Sequence, residues 1–371
     1  MIRALVRIFG NIVGISIAVG TIAVTERYLL NPIATDFSQI ATARENLNRT
    51  DKSIQLVHTI TGHDRPIFGI KALTIAPDGR ILVSGARDGK IIFWNLQTGE
   101  RLREWIADKE GVETIAIDRD GKILVSGGID GQIKVWSYPD GKLLHKISGH
   151  SAPISKVIIV AEPTTNRQLI ISTSDDRTIR IWDLSTHRSV GTLDGITGYA
   201  ADLIITPDRR YAIASEKQGI GDNTSPKIQI WDWHQRKIVR TIPLPASGFS
   251  PLAVTPDSKY LIGGSFGKLT GRNSAINTLK LWQIATGKLS YEFPDNVESI
   301  ESLVVSKDGK LLVCGTYDGK VKVWNLSTRK LLSETKSYGE PIVKLTISND
   351  GHTLVGGLED GRISIWQLGS F

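Results

Sequence analysis

The side chains best suited to nucleophilic or metal chemistry are seven histidines and a single cysteine, Cys314. The histidines are His58, His63, His145, His150, His187, His234 and His352. None has the H-E-x-x-H or another tight metal-binding spacing, and a lone thiol excludes both an internal disulfide and a cysteine-rich metal site. An EF-hand sequence and a phosphate-binding glycine loop are also missing. We therefore expect no catalytic residue, no metal and no cofactor.

Composition indicates an ordinary folded chain. It has 371 residues, of which 40% are hydrophobic and 22% charged, and 45 Lys and Arg against 38 Asp and Glu give a net charge of +7. That balance argues against wholesale disorder and favours anionic surfaces only modestly. The basic segments are short, so the sequence predicts no nucleic-acid partner.

Tryptophan reveals an internal repeat. Seven of the nine tryptophans recur at intervals of 42, 46, 49, 51, 42 and 42 residues, and each ends a segment of alternating apolar and polar residues. They are Trp94, Trp136, Trp182, Trp231, Trp282, Trp324 and Trp366. Alternation with period two predicts a β strand. Asp-Gly and Pro-Asp pairs at fixed offsets before these strands predict tight turns, so each repeat should contain four strands.

A repeat of this length with four strands resembles a blade of the WD40 family of β-propellers. Gly62-His63 and Gly149-His150 match the opening dipeptide of that family, and Trp182-Asp183 and Trp231-Asp232 match its closing dipeptide. The resemblance covers residues 54–371. It implies an all-β, seven-bladed propeller.

The resemblance also implies a hydrogen-bond network inside a blade, formed by a histidine, a strand serine or threonine, a turn aspartate and the tryptophan. In the first blade these residues are His63, Ser84, Asp88 and Trp94, and in the third they are His150, Ser172, Ser174, Asp176 and Trp182. The other blades lack the histidine. We expect a complete network in the third blade and a matching one in the first.

Counting strands from Ile70 leaves the seventh blade with only three before the chain reaches Phe371. The missing strand is residues 54–60, IQLVHTI, which precede the first Gly-His pair. We expect this segment to pair with the last three strands and to close the ring as a clasp, which removes an exposed sheet edge.

Topology assigns the loops to two faces. Connections between the second and third strands of a blade, and between consecutive blades, share what we call the upper face; the other turns form the lower face. Two upper connections are long, at residues 219–226 and 266–277, and loops on a rigid scaffold often carry function. Candidate partner-binding residues on this face are Phe68, Arg87, Ile129, Lys268, Arg272, Tyr317 and Glu359.

The N-terminal region has a different composition. Residues 8–24 contain no charge, which matches the short end of a transmembrane span, and Arg3 and Arg7 precede them. We expect residues 1–30 to form a single-pass anchor, residues 31–53 a tether, and the propeller to lie on the extracytoplasmic side. A cleaved signal peptide, which would release a secreted or periplasmic protein, and a core helix are the alternatives.

Basic residues accumulate on the lower face, where the tether would leave the propeller. They include Arg80, Lys122, Lys259, Lys310, Arg101, Lys142 and Lys288. If the anchor is retained, this face should look toward anionic lipid.

These patterns predict a membrane-tethered, noncatalytic scaffold that binds protein or peptide partners through the upper face. The alternative is a propeller enzyme or a small-ligand receptor that uses the central channel. A cluster of carboxylates or unpaired polar groups at the channel mouth would favour that alternative.

Overall fold

The structure is a computed structural model that describes residues 54–64, 69–162, 165–217, 225–244, 249–265, 278–294, 299–369 and 371. In these residues, 28 strands form seven separate four-stranded antiparallel sheets. Each sheet is one blade, and its strands follow one another from the inside of the ring to the outside.

The first four blades follow the order of the chain. Blade 1 contains β2 (Ile70–Ile75), β3 (Ile81–Ala86), β4 (Lys90–Asn95) and β5 (Arg101–Ile106). Blade 2 contains β6 (Val112–Ile117), β7 (Ile123–Gly128), β8 (Ile133–Ser137) and β9 (Leu143–Ile147). Blade 3 contains β10 (Ile154–Ala161), β11 (Gln168–Ser174), β12 (Ile179–Asp183) and β13 (Ser189–Leu193). Blade 4 contains β14 (Tyr199–Ile205), β15 (Tyr211–Lys217), β16 (Lys227–Asp232) and β17 (Lys237–Pro243).

The last three blades complete the ring. Blade 5 contains β18 (Phe249–Val254), β19 (Tyr260–Ser265), β20 (Leu279–Gln283) and β21 (Leu289–Phe293). Blade 6 contains β22 (Ile300–Val305), β23 (Leu311–Thr316), β24 (Val321–Asn325) and β25 (Leu331–Glu334). Blade 7 contains β26 (Ile342–Ile347), β27 (Thr353–Leu358) and β28 (Ile363–Leu368), and its outer strand is β1 (Ile54–Ile60).

The outer strand of blade 7 is the segment that the sequence predicts as the clasp. β1 runs antiparallel to β28, with Ile54 opposite Leu368 and Ile60 opposite Ile363. The two ends of the propeller are therefore held together in one sheet. Because β1 comes from the start of the domain, blade 7 combines the first strand of the propeller with its last three.

The hydrophobic core lies between blades. Seven clusters of buried side chains each join two neighbouring sheets, and one of them joins Val355 and Ile365 of blade 7 to Leu82 and Trp94 of blade 1. The alternating strands place one set of side chains on each flank of a sheet, so every blade is apolar on both sides. Closure of the ring is what covers both flanks of every blade.

The described residues contain no helix that is long and apolar enough to cross a bilayer. The predicted anchor, residues 1–30, and the predicted tether, residues 31–53, lie outside the described residues.

Candidate partner-binding face of the ring

Blades 1 and 3 each contain a chain of buried hydrogen bonds that begins at the tryptophan. In blade 1, Trp94 Nε1 donates to Ser84 Oγ over 2.8 Å, and His63 Nε2 lies 2.8 Å from the same oxygen. His63 Nδ1 lies 2.9 Å from Asp88 Oδ2. A carboxylate can only accept, so Nδ1 carries the ring proton and Nε2 accepts the serine hydroxyl. The order is therefore Trp, Ser, His, Asp.

Blade 3 repeats this chain with nearly the same distances. Trp182 Nε1 donates to Ser172 Oγ over 2.8 Å, His150 Nε2 lies 2.7 Å from Ser172 Oγ, and His150 Nδ1 lies 2.8 Å from Asp176 Oδ2. The network is thus complete in both blades where it was expected.

Ser174, which was included in the predicted network of blade 3, has a different role. Its hydroxyl donates to the carbonyl of Ala152 over 2.9 Å and accepts the backbone N–H of Asp176 over 3.1 Å. In the strand register, Ser172 is opposite Arg180, the β12 residue two before the tryptophan. Ser174 follows Thr173, the last residue of β11 that pairs with β12. Ser174 therefore shapes the turn at the upper face and does not contact the histidine chain.

The aspartate at the end of each chain holds two upper loops together. Asp88 accepts the backbone N–H of Lys90 in its own turn and that of Asp64 in the loop from the preceding blade. Burial disfavours ionisation of Asp88, but the hydrogen bonds from His63 and these two N–H groups outweigh it and lower the pKa of the carboxyl. An ionised carboxylate therefore fixes the position of the upper loops in blade 1.

Other blades replace parts of the chain. In blade 2, Trp136 Nε1 donates to Ser126 Oγ over 2.9 Å, but Asp108 takes the place of the histidine. Lys134 Nζ lies 3.1 Å from Asp108 Oδ2 and 2.7 Å from Asp130 Oδ2, and both Lys134 and Asp108 are buried. In blade 7, Trp366 Nε1 donates to the hydroxyl of Tyr338 over 2.7 Å.

Cys314 occupies the serine position of blade 6. It is opposite Lys322 in the strand register, as Ser84 is opposite Ile92 and Ser126 is opposite Lys134. The thiol is fully buried, which raises its pKa far above the ordinary value. Trp324 Nε1 is buried and faces this thiol, which is a much weaker hydrogen-bond acceptor than a hydroxyl oxygen.

In the five blades where the structure describes this position, the upper face presents an equivalent residue directly after the second strand. Backbone N–H groups hold these residues in place: Ile129 donates to Gly111, Tyr317 to Ser299, and Glu359 to Pro341. Each acceptor is in the loop that begins the same blade. Arg87 follows β3 in the same way, so four of the predicted partner-binding residues form part of one ring on the upper face.

Asp175 is a member of this ring that the sequence analysis missed. Its N–H donates to the carbonyl of Pro153 over 2.9 Å, as in the other blades. It directly precedes the turn aspartate Asp176, just as Arg87 precedes Asp88. Its position next to the turn aspartate could therefore have identified it from the sequence. Tyr317 is the most exposed large side chain of the ring, with 59% of its surface accessible.

A second ring of residues, which sequence patterns did not reveal, lies inside the first. The innermost strand of each blade contains a bulge near its start, for example between Ile70 and Ala72 and between Ile300 and Ser302. The bulged residue is Lys71 in blade 1, Glu113 in blade 2 and Glu301 in blade 6. A bulge redirects a side chain locally, and here it places charges where strict alternation would not predict them.

These charges interact with the ring of turn residues. Arg87 Nε lies 2.6 Å from Glu113 Oε1. Burial lowers the pKa of Lys71, although Glu113, Glu359 and Glu301 oppose the change. Burial also raises the pKa of Glu301, and the neighbouring Glu359 adds to that effect. The upper mouth of the channel therefore carries both signs of charge in close contact.

Further ionisable groups lie beyond this mouth. Lys156 Nζ is 3.1 Å from Asp202 Oδ1, and burial lowers the pKa of Lys344 to about 8, with the charge of Lys156 as the next cause. Burial disfavours the charged form of Asp202, but Lys156 and Lys344 outweigh it and lower its pKa. The arrangement is one of compensated charges, and no nucleophile with an adjacent base is evident among these described groups.

Three predicted partner-binding residues, Phe68, Lys268 and Arg272, lie outside the described residues, as does the long loop 266–277. Within the described part of the chain, no group of three or more His, Cys, Asp or Glu side chains is arranged to hold a metal ion.

On the lower face, many basic side chains have local partners. Lys259 lies 3.5 Å from Asp257, Lys310 lies 3.3 Å from Asp308, and Arg101 lies 2.8 Å from Glu104. Nearby carboxylates therefore cancel part of the positive charge that the sequence places there.

Comparison with known protein families gives an independent result. The WD40 model, described as "WD domain, G-beta repeat", matches residues 54–95, 99–137, 141–183 and 287–325. These four segments end one residue after Trp94, Trp136, Trp182 and Trp324, and in each the residue two before the tryptophan is opposite a serine or a cysteine. The unmatched repeats end at Trp231, Trp282 and Trp366, and their equivalent residues are Ala214, Gly263 and Gly356.

Two curated relatives are fungal proteins called nuclear distribution protein PAC1. The one from Arthroderma otae is 26% identical over 91 residues, which is 24% of this chain and 19% of the relative. The one from Coccidioides posadasii is 30% identical over 91 residues, which is 24% of this chain and 18% of the relative. The matched region is thus under a fifth of each relative. Four segments of the chain therefore match the WD40 repeat, and the observed strand topology is that of a seven-bladed β-propeller.

Proposed function

We propose that this protein is a noncatalytic scaffold that binds a protein or peptide partner through the upper face of the propeller. The observation that carries the proposal is the ring of equivalent turn residues. Arg87, Ile129, Tyr317 and Glu359 follow the second strand of four blades, and backbone hydrogen bonds to the loop that begins the same blade fix Ile129, Tyr317 and Glu359. Aromatic residues and arginine are the side chains most enriched at interface hot spots.

The chemistry of the face supports a polypeptide partner. An exposed Tyr317 provides apolar area together with a hydroxyl, while Arg87, Glu113 and Glu359 offer donors and acceptors of both signs. Such a mixture suits a polar interface whose specificity comes from matching charges. The predicted residues Phe68, Lys268 and Arg272 belong to the same proposed site.

The test is partner recovery with a paired substitution. Full-length protein carrying Arg87→Ala and Tyr317→Ala should recover at least tenfold less of the cross-linked partners than the unchanged protein. A matched control carries Arg101→Ala and Leu289→Ala, which remove an arginine and an exposed apolar residue on outer strands. Equal recovery by the two double variants would overturn the site assignment.

Removal of residues 266–277 provides a second test of the same site. If this loop contributes Lys268 and Arg272 to the interface, its replacement by a short glycine linker should also reduce partner recovery. Unchanged recovery would remove those two residues from the proposed site and leave the turn ring as the binding surface.

A small-ligand receptor is the second candidate function, and the channel charges are the observation that favours it. Glu301, Lys71 and Lys344 are partly or fully withdrawn from water and have perturbed pKa values, which is common at binding sites. The opposite charges that surround these groups, such as Glu113 and Glu359 near Lys71, favour the scaffold instead. Lys344→Met would abolish binding of a channel ligand but would leave recovery of an upper-face protein partner unchanged.

We further propose that the N-terminal segment anchors the protein as a single-pass membrane protein, with the propeller on the extracytoplasmic side. The uncharged residues 8–24 and the preceding arginines support this orientation. Full-length protein should pellet with membranes after carbonate extraction, and truncation at Thr50 should release it. Recovery of the full-length chain in the supernatant would contradict the anchor and favour the cleaved, secreted or periplasmic alternative.

Contact of the lower face with anionic lipid is a separate part of this proposal. Binding of the chain truncated at Thr50 to vesicles with phosphatidylserine, and not to neutral vesicles, would support it. The local ion pairs of Lys259 and Lys310 predict a weak, salt-sensitive association.

A further inference from the structure

The lower face of the propeller carries its charge unevenly. Its turns join the first strand of a blade to the second and the third strand to the fourth. In blades 4, 5 and 6 these turns contain nine Lys or Arg and three Asp. The lower turns of blades 7, 1 and 2 contain four Lys or Arg and six Asp or Glu. We call the first set the cationic sector and the second the opposite sector.

Most cations of the cationic sector are exposed to solvent. Lys259 and Lys310 lie near aspartates of their own turns, at 3.5 and 3.3 Å. Lys288, Lys307 and Lys330 form no ion pair and no side-chain hydrogen bond with another described residue, so nothing in the described chain neutralises them directly. The full set is Arg209, Arg210, Arg236, Lys259, Lys288, Lys307, Lys310, Arg329 and Lys330.

The three aspartates of the cationic sector are part of the turns themselves. Asp308 accepts the hydroxyl of Ser306 over 2.6 Å and the backbone N–H of Lys310 over 3.0 Å. The hydrogen bond from Ser306 is the largest of the effects that lower the pKa of Asp308. Asp208 and Asp257 accept the equivalent two hydrogen bonds in blades 4 and 5. These carboxylates reduce the positive charge of the sector but are too few to cancel it.

Three arginines of the cationic sector occupy turn positions with positive φ. Arg209, Arg236 and Arg329 have φ angles of 59°, 56° and 60°. Glycine occupies the position of Arg209 in blades 1, 2, 6 and 7, and that of Arg236 and Arg329 in blades 1, 2 and 5. A side chain is strained in this backbone region, so these positive charges are present despite a local cost. Arg329 lies 4.4 Å from the ring centre of Tyr291, and Arg236 donates to the carbonyl of Val190, which holds both guanidinium groups in place.

We propose that the cationic sector, and not the whole lower face, docks on the phosphate headgroups of an anionic membrane. This inference rests on the lipid contact of the lower face proposed above and gives its location. Cations spread over six turns suit an extended anionic surface, to which each adds a separate attraction. A single small anion is a poorer match, because the groove of about 430 Å³ between blades 5 and 6 is lined by Asp257 and Asp308. The propeller should therefore tilt, with blades 4, 5 and 6 nearest the bilayer.

Two labels at equivalent positions test the tilt. Ser327 in blade 6 and Gln97 in blade 1 are each the second residue of the turn before the outer strand, and both are exposed. Full-length protein carrying Ser327→Cys or Gln97→Cys is labelled with a fluorophore, since the native Cys314 is buried. It is then combined with vesicles that contain a headgroup-linked quencher. Phosphatidylserine in the vesicles should quench the label at position 327 at least threefold more than the label at 97, and neutral vesicles should quench both equally. Equal quenching in anionic vesicles would refute the proposal.

Removal of three charges from each sector provides the matched comparison. The variant of the cationic sector carries Lys288→Gln, Lys307→Gln and Lys330→Gln, and it should lose the difference between the two labels. The control carries Arg119→Gln, Lys122→Gln and Lys142→Gln, three exposed cations of the opposite sector, and it should keep the difference. Equal loss in both variants, or no loss in the first, would overturn the assignment to blades 4, 5 and 6.

Failure of the membrane anchor would give a different result. Without an anchor, the full-length protein would not float with neutral vesicles, but it would still bind anionic vesicles with stronger quenching at position 327. With an anchor and no docking of the cationic sector, it would float with both kinds of vesicle, and the two labels would be quenched equally. The first result supports the sector and the second refutes it.

Discussion

The hydroxyl of Ser84 and that of Ser172 connect a buried tryptophan to a buried histidine, and each serves as acceptor and donor at once. Such a chain leaves no polar group of the tryptophan or histidine unpaired in the interior of the blade, where an unpaired group would be costly. Blade 6 lacks both the serine and the histidine, and among the described residues its tryptophan Nε1 faces only the weak acceptor Cys314.

Cys314→Ser is predicted to stabilise the propeller. The serine hydroxyl would accept from Trp324 Nε1 as Ser126 accepts from Trp136 in blade 2, which also lacks the histidine. Replacing a weak sulfur acceptor with a hydroxyl oxygen should raise the free energy of unfolding by about 1 kcal/mol. Thermal unfolding followed by circular dichroism measures the change. Ser126→Cys is the reverse control and should lower stability; a destabilised Cys314→Ser together with an unaffected Ser126→Cys would contradict this account.

His150 predicts a pH dependence of stability. Burial lowers its pKa below the usual 6.5, and this outweighs the hydrogen bond from His150 to Asp176, which raises it. The unfolded chain therefore binds more protons as pH falls through and below 6.5, so stability that is present at higher pH is lost as the solution becomes acidic. His150→Gln should lower the melting temperature near neutral pH and reduce its dependence on pH below about 6.5. An unchanged slope would show that His150 is not the responsible group.

Among the strands, β1 has a role that its own sequence does not suggest. It is seven residues long and mostly exposed, but it supplies the outer strand of blade 7 and covers β28. Without it, β28 would be an unpaired edge with buried residues on both flanks. Ring closure therefore depends on a strand that is separated from its partners by almost the entire domain.

Two truncations test the clasp. A chain that starts at Asp51 retains β1 and should have the melting temperature of the full propeller. A chain that starts at Thr61 lacks β1 and should melt at least 10 °C lower or aggregate, because blade 7 loses a strand and exposes an edge. Size-exclusion chromatography and thermal unfolding of the two chains provide the comparison. Equal melting temperatures would show that the strand does not close the ring.

The strands were largely predictable, because the alternating segments before the tryptophans and the Asp-Gly pairs between them are local signals. The bulges, in contrast, leave no local signal in the sequence. Lys71, Glu113 and Glu301 appear as ordinary alternating residues, and only the strand register shows that they are bulged. The exchange of a histidine for Asp108 in blade 2, balanced by Lys134, was also hidden, because the two residues lie 26 positions apart.

The propeller is a ring in which each blade covers one flank of each of its two neighbours, and this explains why the unmatched blades remain in place. Blades 4, 5 and 7 have lost the strand serine, and Gly356 leaves room for the ring of Trp366 where a Cβ atom would approach to 2.7 Å. Their tryptophans are still buried in the clusters between blades. Packing across blade interfaces is therefore the shared requirement, and the hydrogen-bond chain is an addition in some blades.

The two faces of the ring differ, and the central claim is that partners bind the upper face. The most direct measurement is site-specific photo-cross-linking with a photoreactive residue placed at Tyr317 on the upper face or, in a second chain, at Lys310 on the lower face. Both positions are exposed, so both probes are equally able to react. We predict a partner adduct from position 317 and at most a trace from position 310. An adduct from position 310 without one from position 317 would contradict the account.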